Sequence, residues 1–545
     1  MPWISTTIDA PAPRDALAQS GGLVAGADVI KPGAVAFRGA GFGEKTLSAW
    51  DATPRSADAA ILPESRALSG RSSDILRNNG FAAGVQQTSV DNIIGPMGLR
   101  VSPRVDYVAL GKSQDWARDW NKRVRSEFRT WATNPLECDF GGVLDFADHQ
   151  TIAYKNCFAY GDSFAQPRWD DKAKGRWKTR LMGIQPSRVR NPSGQVDRVD
   201  TRGGIRFDSN GRPVSAYVAR RNPDDLIGLG GAAGWYGAYE SDEVPFFKSW
   251  GRRSLIHVVE RGEYGQTRGV GVLAPFLAQF KQLDQYLDYE MKNQMLNSLV
   301  GMIIETPVED LLSHFKDPAE ALKYLDGRKP PTFNGGGQVL QTKVGERVTA
   351  FAPNRPGPQL EQFAMIFLRE LCAGSNLPYE LFTKDFSKSS YVGIRAGLAE
   401  AVRFFTSKRY WLATAFCQPV YELWLEEAVN AGRIEAPGYY DNPAAYGKAK
   451  WLGARYSFTD RVKEITASAL ALENDLTTYE DELSFLLGED WEDVFEQRKI
   501  ENDVRKLFGL GMVAGPATIA AAGAPQQESP PQQDGGQQNN PSGQP

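Results

Sequence analysis

Histidine is scarce in this chain, with three copies in 545 residues. That scarcity narrows the chemistry available. His149 has Asp145 and Asp148 as neighbours, a grouping that could orient an imidazole for base catalysis. Its i, i+4 spacing from Asp145 predicts an exposed salt bridge on a helix instead. His257 sits in the apolar run SLIHVVE, where a hydrogen-bonded structural role is expected. His314 lies near Asp310 and Asp317 on an expected exposed helix. Cysteine is also sparse. Cys138, Cys157, Cys372 and Cys417 form no CxxC pair and no tight spacing with the histidines, which argues against structural zinc and a disulfide framework and for a reducing compartment. Cys157 and Cys417 are flanked by Phe and read as core residues.

Other absences exclude other classes. No apolar run approaches the length of a membrane span, since Leu296 to Ile304 is about half of what is needed. The N-terminal stretch lacks a charged region followed by an apolar one, so no secretory signal is expected. A net charge of -4 argues against a protein that coats DNA by neutralising phosphates. Gly228-x-Gly230-x-x-Ala233 has no strand before it and no helix after it, so nucleotide binding is not expected there. Gly111-Lys112-Ser113 lacks the upstream glycine of a phosphate loop, because Asp106 stands in its place. The acids Glu426–Glu427 and Glu489 to Asp493 read as solvated helix faces. The residues therefore predict no catalytic centre, no metal site and no cofactor.

What is present is a large soluble composition, 41% hydrophobic and 23% charged, enough for several domains. The chain is organised around Ser375 to Gly432. A polar loop, Thr383 to Ser390, carries Lys384, Asp385 and Lys388. After it Leu398, Val402, Phe405, Arg409, Leu412, Phe416, Val420 and Leu423 recur at helical spacing. Pro419 predicts a kink near Ala415, and Gly432 ends the helix.

Upstream, Leu62, Leu68, Ile75 and Leu76 lead into a helix expected to close at Gly95-Pro96. Ser113 to Trp131 sets Trp116, Trp120, Val124, Phe128 and Trp131 on one stripe, with Lys122, Arg123, Arg125 and Arg129 on a solvated basic face. Asp145 to Ala159 reads as a helix ending at Tyr160-Gly161-Asp162. From Ala165 to Val259, short alternating runs between Asn-Pro, Ser-Gly and Asn-Gly turns predict a β-rich insertion. Beyond it, Phe276, Phe280, Leu283, Leu287, Met291 and Met295 predict one face of a helix of roughly 28 residues, about 42 Å long, with Pro275 near its first turn. Residues 305–360 read as a looped α/β segment. Two or three short helices follow Phe458, with Thr459 and Thr477 or Thr478 as caps.

Four blocks in this order resemble the lambda-like portal proteins of tailed bacteriophages. The first is Arg71, Ser72, Asp74, Arg77, Asn78 and Asn79, continuing to Asn92 and Gly95. The second runs Gly265, Gln266, Thr267, Arg268, Gly269, then Leu273-Ala274-Pro275, Leu283-Asp284 and Tyr286. The third is Leu377-Pro378-Tyr379-Glu380, Asp385-Phe386-Ser387, Tyr391 and Arg395, where Val392 and Gly393 replace the two small hydroxyl residues usual in the family. The fourth is Asp460, Lys463, Glu464, Thr477, Gly488 and Asp490, with Arg461 in place of a proline.

The resemblance implies an α+β portal-type fold: a mainly helical wing and crown, long stem helices, a β-rich clip insertion, and a ring oligomer of twelve subunits. Its expected divisions are a flexible arm (1–58), first wing part (59–144), first stem helix region (145–164), clip (165–260), second stem helix region (261–304), second wing part (305–374), channel loop and long helix (375–432), crown (433–512) and disordered tail (513–545). It further implies a channel for double-stranded DNA at one capsid vertex, with assembly in the host cytoplasm. The implied partners are the terminase large subunit, the major capsid or scaffold protein, and head-tail adaptor or tail proteins; no membrane is involved. Lys384, Asp385 and Lys388 become candidates for the DNA-facing loop; an ordinary polar loop at a subunit contact is the alternative. The acid-rich Glu473 to Asp503 resembles a crown facing packaged DNA, or a solvated bundle. A capsid-associated scaffold-type protein, or a DNA-processing protein, is the competing functional class.

Overall fold

The computed structural model describes residues 53–172, 174–222, 240–298, 301–305, 317–320, 323, 347–351, 360–387, 390–455 and 461–510. The chain divides into two units, Met1–Ser56 and Ala57–Pro545. Of the first, only 53–56 are described, and they carry no helix or strand. Several expectations lie outside the described residues: His314, Lys388, Thr459, the glycine cluster at 228–237, and the tail from 513.

The second unit opens with three helices: α1 (Ala57–Ile61), α2 (Ser65–Asn78) and α3 (Gly80–Ile93). Asn79 separates the last two because its side chain accepts from the backbone N–H groups of Phe81 and Ala82, satisfying two orphan donors of α3. Strand β1 (Arg100–Pro103) leads to α4 (Gln114–Ala132), capped by Ser113, and α5 (Pro135–Cys138). The aromatic stripe on α4 is buried as its spacing predicts. Phe128 sits 5.1 Å from Trp424 and 5.5 Å from Tyr421 by ring centroids, both edge-on. Phe146, Trp131 and Trp451 complete the cluster. Each such side chain contributes about 1.5–3 kcal/mol by leaving water, which makes this cluster the centre of the fold.

Helix α6 (Phe146–Tyr160) starts with a reciprocal capping box between Asp145 and Asp148. That use of Asp145 corrects the expected surface pair. His149 is buried and meets Asp139 at 3.1 Å. Burial holds its imidazole below the usual value despite the Asp139 charge.

The β-rich region is two sheets. The inner one has three antiparallel strands in the order β3 (Thr179–Ile184), β2 (Asp162–Trp169), β8 (Ile256–Val259). The outer one has four, β4 (Thr201–Arg202), β5 (Ile205–Phe207), β6 (Pro213–Ala219) and β7 (Ser241–Pro245). A second core of Phe164, Ile184, Val189, Ile205, Ala216, Val218, Phe246 and Leu255 lies in this region. His257 stacks on Phe164 at 4.3 Å, as a structural histidine should.

Helix α7 (Leu277–Ser298) follows one 3-10 turn at Ala274–Phe276. Its 22 residues are shorter than the roughly 28 expected. Only part of its apolar stripe is covered. Phe280 and Leu283 are buried, whereas Leu287, Met291 and Met295 are exposed. Strands β9 (Gly301–Glu305) and β10 (Arg347–Phe351) pair antiparallel, and α8 (Leu360–Ser375) leads to the central segment.

That segment is α9 (Tyr379–Thr383), α10 (Tyr391–Leu412), a π turn at Ala413–Cys417 and α11 (Gln418–Asn430). Pro419 cannot donate to a carbonyl one turn back. The irregularity falls where it was expected: the Gln418 N–H reaches back five residues to the Ala413 carbonyl, adding a residue to one turn. Arg409 closes α3 from outside, donating from Nε to the Ile93 carbonyl and from Nη2 to that of Asn92. A guanidinium at a helix C-terminus meets both the orphan carbonyls and the dipole.

The chain ends in α12 (Pro443–Gly447), β11 (Ala449–Leu452) paired with β1, α13 (Arg461–Glu473), α14 (Tyr479–Leu486) and α15 (Trp491–Leu507). Thr478 caps α14 and Asp490 caps α15. Here two expectations are corrected. The basic face of α4 is not simply solvated, since Arg125 meets Asp490 at 3.0 Å and Asp493 at 2.5 Å, and Lys122 meets Glu496 at 2.6 Å. Nor are the acids all surface groups. Asp490 is buried, and Glu427 is buried where it accepts the Lys178 and Thr179 backbone N–H groups at 2.7 and 2.8 Å. In each case a carboxylate leaves water only because donors converge on it.

Arg125→Met should therefore release α15 while leaving the aromatic cluster folded. Hydrogen exchange should show protection lost across 491–507 and kept across 114–132; equal loss in both would mean Arg125 supports the core itself.

Candidate functional site

Two constructions carry the motif residues. The first is a junction. The backbone crosses itself at Gly161 and Gly269 so closely that a Cβ on Gly269 would lie 1.8 Å from the Gly161 carbonyl oxygen, and Gly161 has φ +90. Only glycine fits both requirements. Beside the crossing, Asp162 at the start of β2 is buried with Arg268 against it. Arg268 Nη2 lies 3.1 Å from Asp162 Oδ1, and its Nε donates to Oδ2. Arg268 Nη1 donates to the carbonyls of Val189 at 2.8 Å and Gly203 at 2.9 Å, and Nη2 to that of Pro186 at 3.2 Å. One guanidinium thus ties the inner sheet to two loops of the outer one.

Its neighbours in the block have equally definite tasks. Gln266 accepts from the Gly262 N–H and donates to the Arg268 carbonyl. Thr267 donates from backbone and hydroxyl to Asp58 of α1 at 2.7 and 2.6 Å, and Arg202 donates to the same carboxylate. Gly265 adopts φ +79, a left-handed turn. The block is an architectural clamp with its polar atoms used internally. Burial alone would raise the Asp162 carboxyl; the Arg268 charge, with hydrogen bonds from His257 and Arg268, overrides it and holds it at about 2. Burial keeps His257 below its ordinary value.

The second construction is the loop before α10. Leu377 and Phe382 are buried anchors, and the Phe382 ring stacks near Phe81 of α3 at 6.2 Å. Lys384 ends α9 with φ +61 and donates from Nζ to Thr88 Oγ1 of α3 at 2.7 Å. Asp385 accepts from the Ser387 backbone and hydroxyl. Ser390 caps α10 by accepting from Gly393. Beyond these tethers, Phe386, Tyr391, Val392 and Arg395 are exposed. Tyr379 is part-buried and accepts from Thr383 through its carbonyl. The loop is held at its root, and Phe386, Ser387, Ser390 and the first turn of α10 face solvent. The early block is simpler: Arg71, Asp74, Arg77 and Asn78 lie exposed on α2, with Asn78 donating to Asp74 at 2.6 Å.

Sequence reasoning found the blocks but missed Asp162, Asp58, Thr88 and Arg409 as the groups they engage. Among the described residues, no cluster of three or more His, Cys, Asp or Glu side chains could hold a metal ion, and no helix is long and apolar enough to cross a membrane.

Residues 43–409 match the sequence model of "Phage portal protein, lambda family". The chain belongs to the lambda family of phage portal proteins. Portal protein B of Escherichia phage lambda is 26% identical over 509 residues, covering 89% of this chain and 91% of that one. The portal protein of Escherichia phage N15 is 27% identical, covering 89% and 93%. A probable portal protein of a Halomonas phage is 21% identical, covering 84% and 83%. Among solved structures, the neck of an empty gene transfer agent particle covers 76% of this chain at 9% identity, with a TM-score of 0.44. This portal protein is accordingly a component of the bacteriophage virion, associated with the capsid, in a family whose members form homo-oligomeric rings. The clamp and the tethered loop are parts of that portal chain.

Replacing Arg268 with Met should cost about 3–5 kcal/mol by stranding Asp162. The Asp162→Asn/Arg268→Met pair should recover a large part of it in denaturant melts, and strictly additive losses would refute the clamp. Acid should weaken the fold in two stages. His149 and His257 have lowered values in the fold, so their contribution is whole above 6.5 and declines as pH falls below it. Asp162 is depressed from 3.8, so its contribution is present above that value and is lost as pH falls toward about 2. Thermal melts against pH should show both declines, and His257→Gln should diminish the first.

Proposed function

We propose that twelve copies of this chain close into a ring at one capsid vertex, enclosing a channel for double-stranded DNA. The terminase large subunit docks on the ring during packaging. Major capsid or scaffold protein surrounds it during assembly in the host cytoplasm, and head-tail adaptor or tail proteins replace the motor afterwards. The same channel releases the genome. The observation that carries this reading is the match to the lambda and N15 portal proteins over about nine-tenths of their lengths.

The electrostatics suit such a channel. DNA must pass without being held, and each lysine or arginine that neutralises a phosphate adds salt-dependent affinity, a slope of about 0.9 per contact. Ring symmetry multiplies every such contact. In this chain the cations at Arg125, Arg202 and Arg268 face carboxylates, and the net charge is -4. Lys384 donates instead to a neutral hydroxyl. In the ring, Lys384 and Lys388 approach phosphates, and Lys384 exchanges Thr88 for a charged acceptor, a stronger bond. Residues 145–164 and 261–304 serve as stem, 165–260 as clip, 59–144 and 305–374 as wing, and 433–512 as crown.

Negative-stain electron microscopy of the purified chain should show rings with a central hole wide enough for duplex DNA. Compact particles without a channel would end this reading. Lys384→Ala/Lys388→Ala should leave rings intact and change packaging yield or retention of packaged DNA; wild-type values for both would remove the loop from the channel.

A further inference from the structure

No side chain of α14 or α15 is buried, and none stands among the apolar side chains packed against the main core. The two helices hold each other: the Phe495 ring meets Tyr479 at 5.3 Å and Trp491 at 5.7 Å, both edge-on. Between α14 and the body of the chain lies a groove of about 1010 Å³, with Phe485 on one side and Tyr410 and Trp451 on the other. Apolar burial, which secures α4 and α11, therefore does little to fix this pair of helices in place.

Charge does the holding. Arg100 on β1 meets Glu489 at 3.0 Å, and Arg104 just after it meets Glu480 at 3.0 Å. On α4, Lys122 meets Glu496 at 2.6 Å, and Arg125 meets Asp490, Glu492 and Asp493 at 3.0, 3.4 and 2.5 Å. On β11, Lys450 meets Glu480 at 3.3 Å and Asp481 at 3.0 Å. Arg100 also donates to the Gly488 carbonyl and Ser102 to Asp490, where the turn between the helices touches β1. The pairs of Arg100, Lys122 and Lys450 are in contact with water, so salt screens them. Arg125 and Asp490 form the buried pair. Even there Arg125 Nε has no acceptor among the described residues, and undocking returns both charges to water, which recovers their desolvation cost.

We propose that α14 and α15 are a single detachable strap, clipped to β1, α4 and β11 by charge. It lifts as ionic strength rises and reseats as it falls, while the core stays folded. Every pair named lies within one chain, so the device works with or without a ring. The screening length falls from about 10 Å near 0.1 M salt to about 3 Å near 1 M, which weakens ion pairs and spares apolar packing. Once lifted, helices of 8 and 17 residues lose the contacts that keep them ordered, because isolated helices of such lengths are marginal in water. Lifting bares Arg100, Arg104, Lys122, Arg125 and Lys450 together; the closed strap neutralises them.

The test is hydrogen exchange on the purified full chain, at about 0.1 M and about 1 M NaCl. Protection across 479–507 should fall at least about tenfold at high salt and return on dilution, with 114–132 and 418–430 unchanged. Arg100→Gln/Arg104→Gln/Lys122→Gln/Lys450→Gln leaves the helices' own sequence and Arg125 intact. That variant should show low protection across 479–507 already at about 0.1 M, with little further response to salt. Wild-type protection that salt does not touch would mean that packing holds the strap, and overturns the proposal. Loss in 491–507 without loss in 479–486 would show two separate helices, and equal loss in 114–132 or 418–430 would make the joint part of the core; either overturns it. A variant that keeps the wild-type salt response does so too, since other contacts then do the clipping. Should the variant lose its core, the wild-type response alone decides.

Discussion

Asp162 is a carboxylate removed from water at the seam where α6, the inner sheet and the outer sheet meet. A charge in that position is tolerable only if cationic and hydrogen-bonding partners surround it. Arg268 supplies them, and its remaining N–H groups are then directed at carbonyls of Pro186, Val189 and Gly203. The demand of one buried charge thereby orients a whole β region. Next to Arg268 the Gly269 backbone passes Gly161 at a separation no side chain allows, which is why both positions are glycine. From the same block Thr267 reaches Asp58, so the start of the described chain is fastened to the same point.

The rest of the charge follows a related pattern. Carboxylates that look like free acids in sequence are drawn inward to organise backbone: Glu427 receives two N–H groups of the β3 edge, and Asp490 caps α15 while holding Arg125. Internal pairing of this kind takes up the cations at the seams of the fold, Arg125, Arg202 and Arg268 among them, while Arg71, Arg77 and Arg395 lie exposed.

What was legible in sequence was whatever repeats locally. The α4 stripe, the Gly161 and Gly432 endings and the irregularity before Pro419 are short-range consequences of helical geometry and stand where they were read, and of the two caps offered, Thr477 or Thr478, the second is used. The misreadings involve partners far away in the chain. His149 was assigned to Asp145, but Asp145 is consumed as a cap and Asp139 turns in from a loop. Glu427 and Glu426 differ by one residue and about 100° of helix rotation; only the first faces the core. Arg125 meets Asp490 across hundreds of residues, a pairing no spacing announces. On α7, periodicity picked out an apolar stripe but could not say that Phe280 and Leu283 are buried while Leu287, Met291 and Met295 are exposed. The four blocks made the family legible, while the reason for their residues, clamp or loop, appeared only in three dimensions.

The central claim is a division of labour: the Gly265–Gly269 block is internal architecture, and the loop before α10 is where we propose that the chain meets DNA. A side-chain-resolved electron cryo-microscopy map of the assembled, DNA-containing particle tests this most directly. The account predicts Arg268 enclosed against Asp162 in every subunit, with 383–390 rimming the channel. Arg268 turned into the bore with its guanidinium toward DNA, or the loop buried away from the channel, would contradict it.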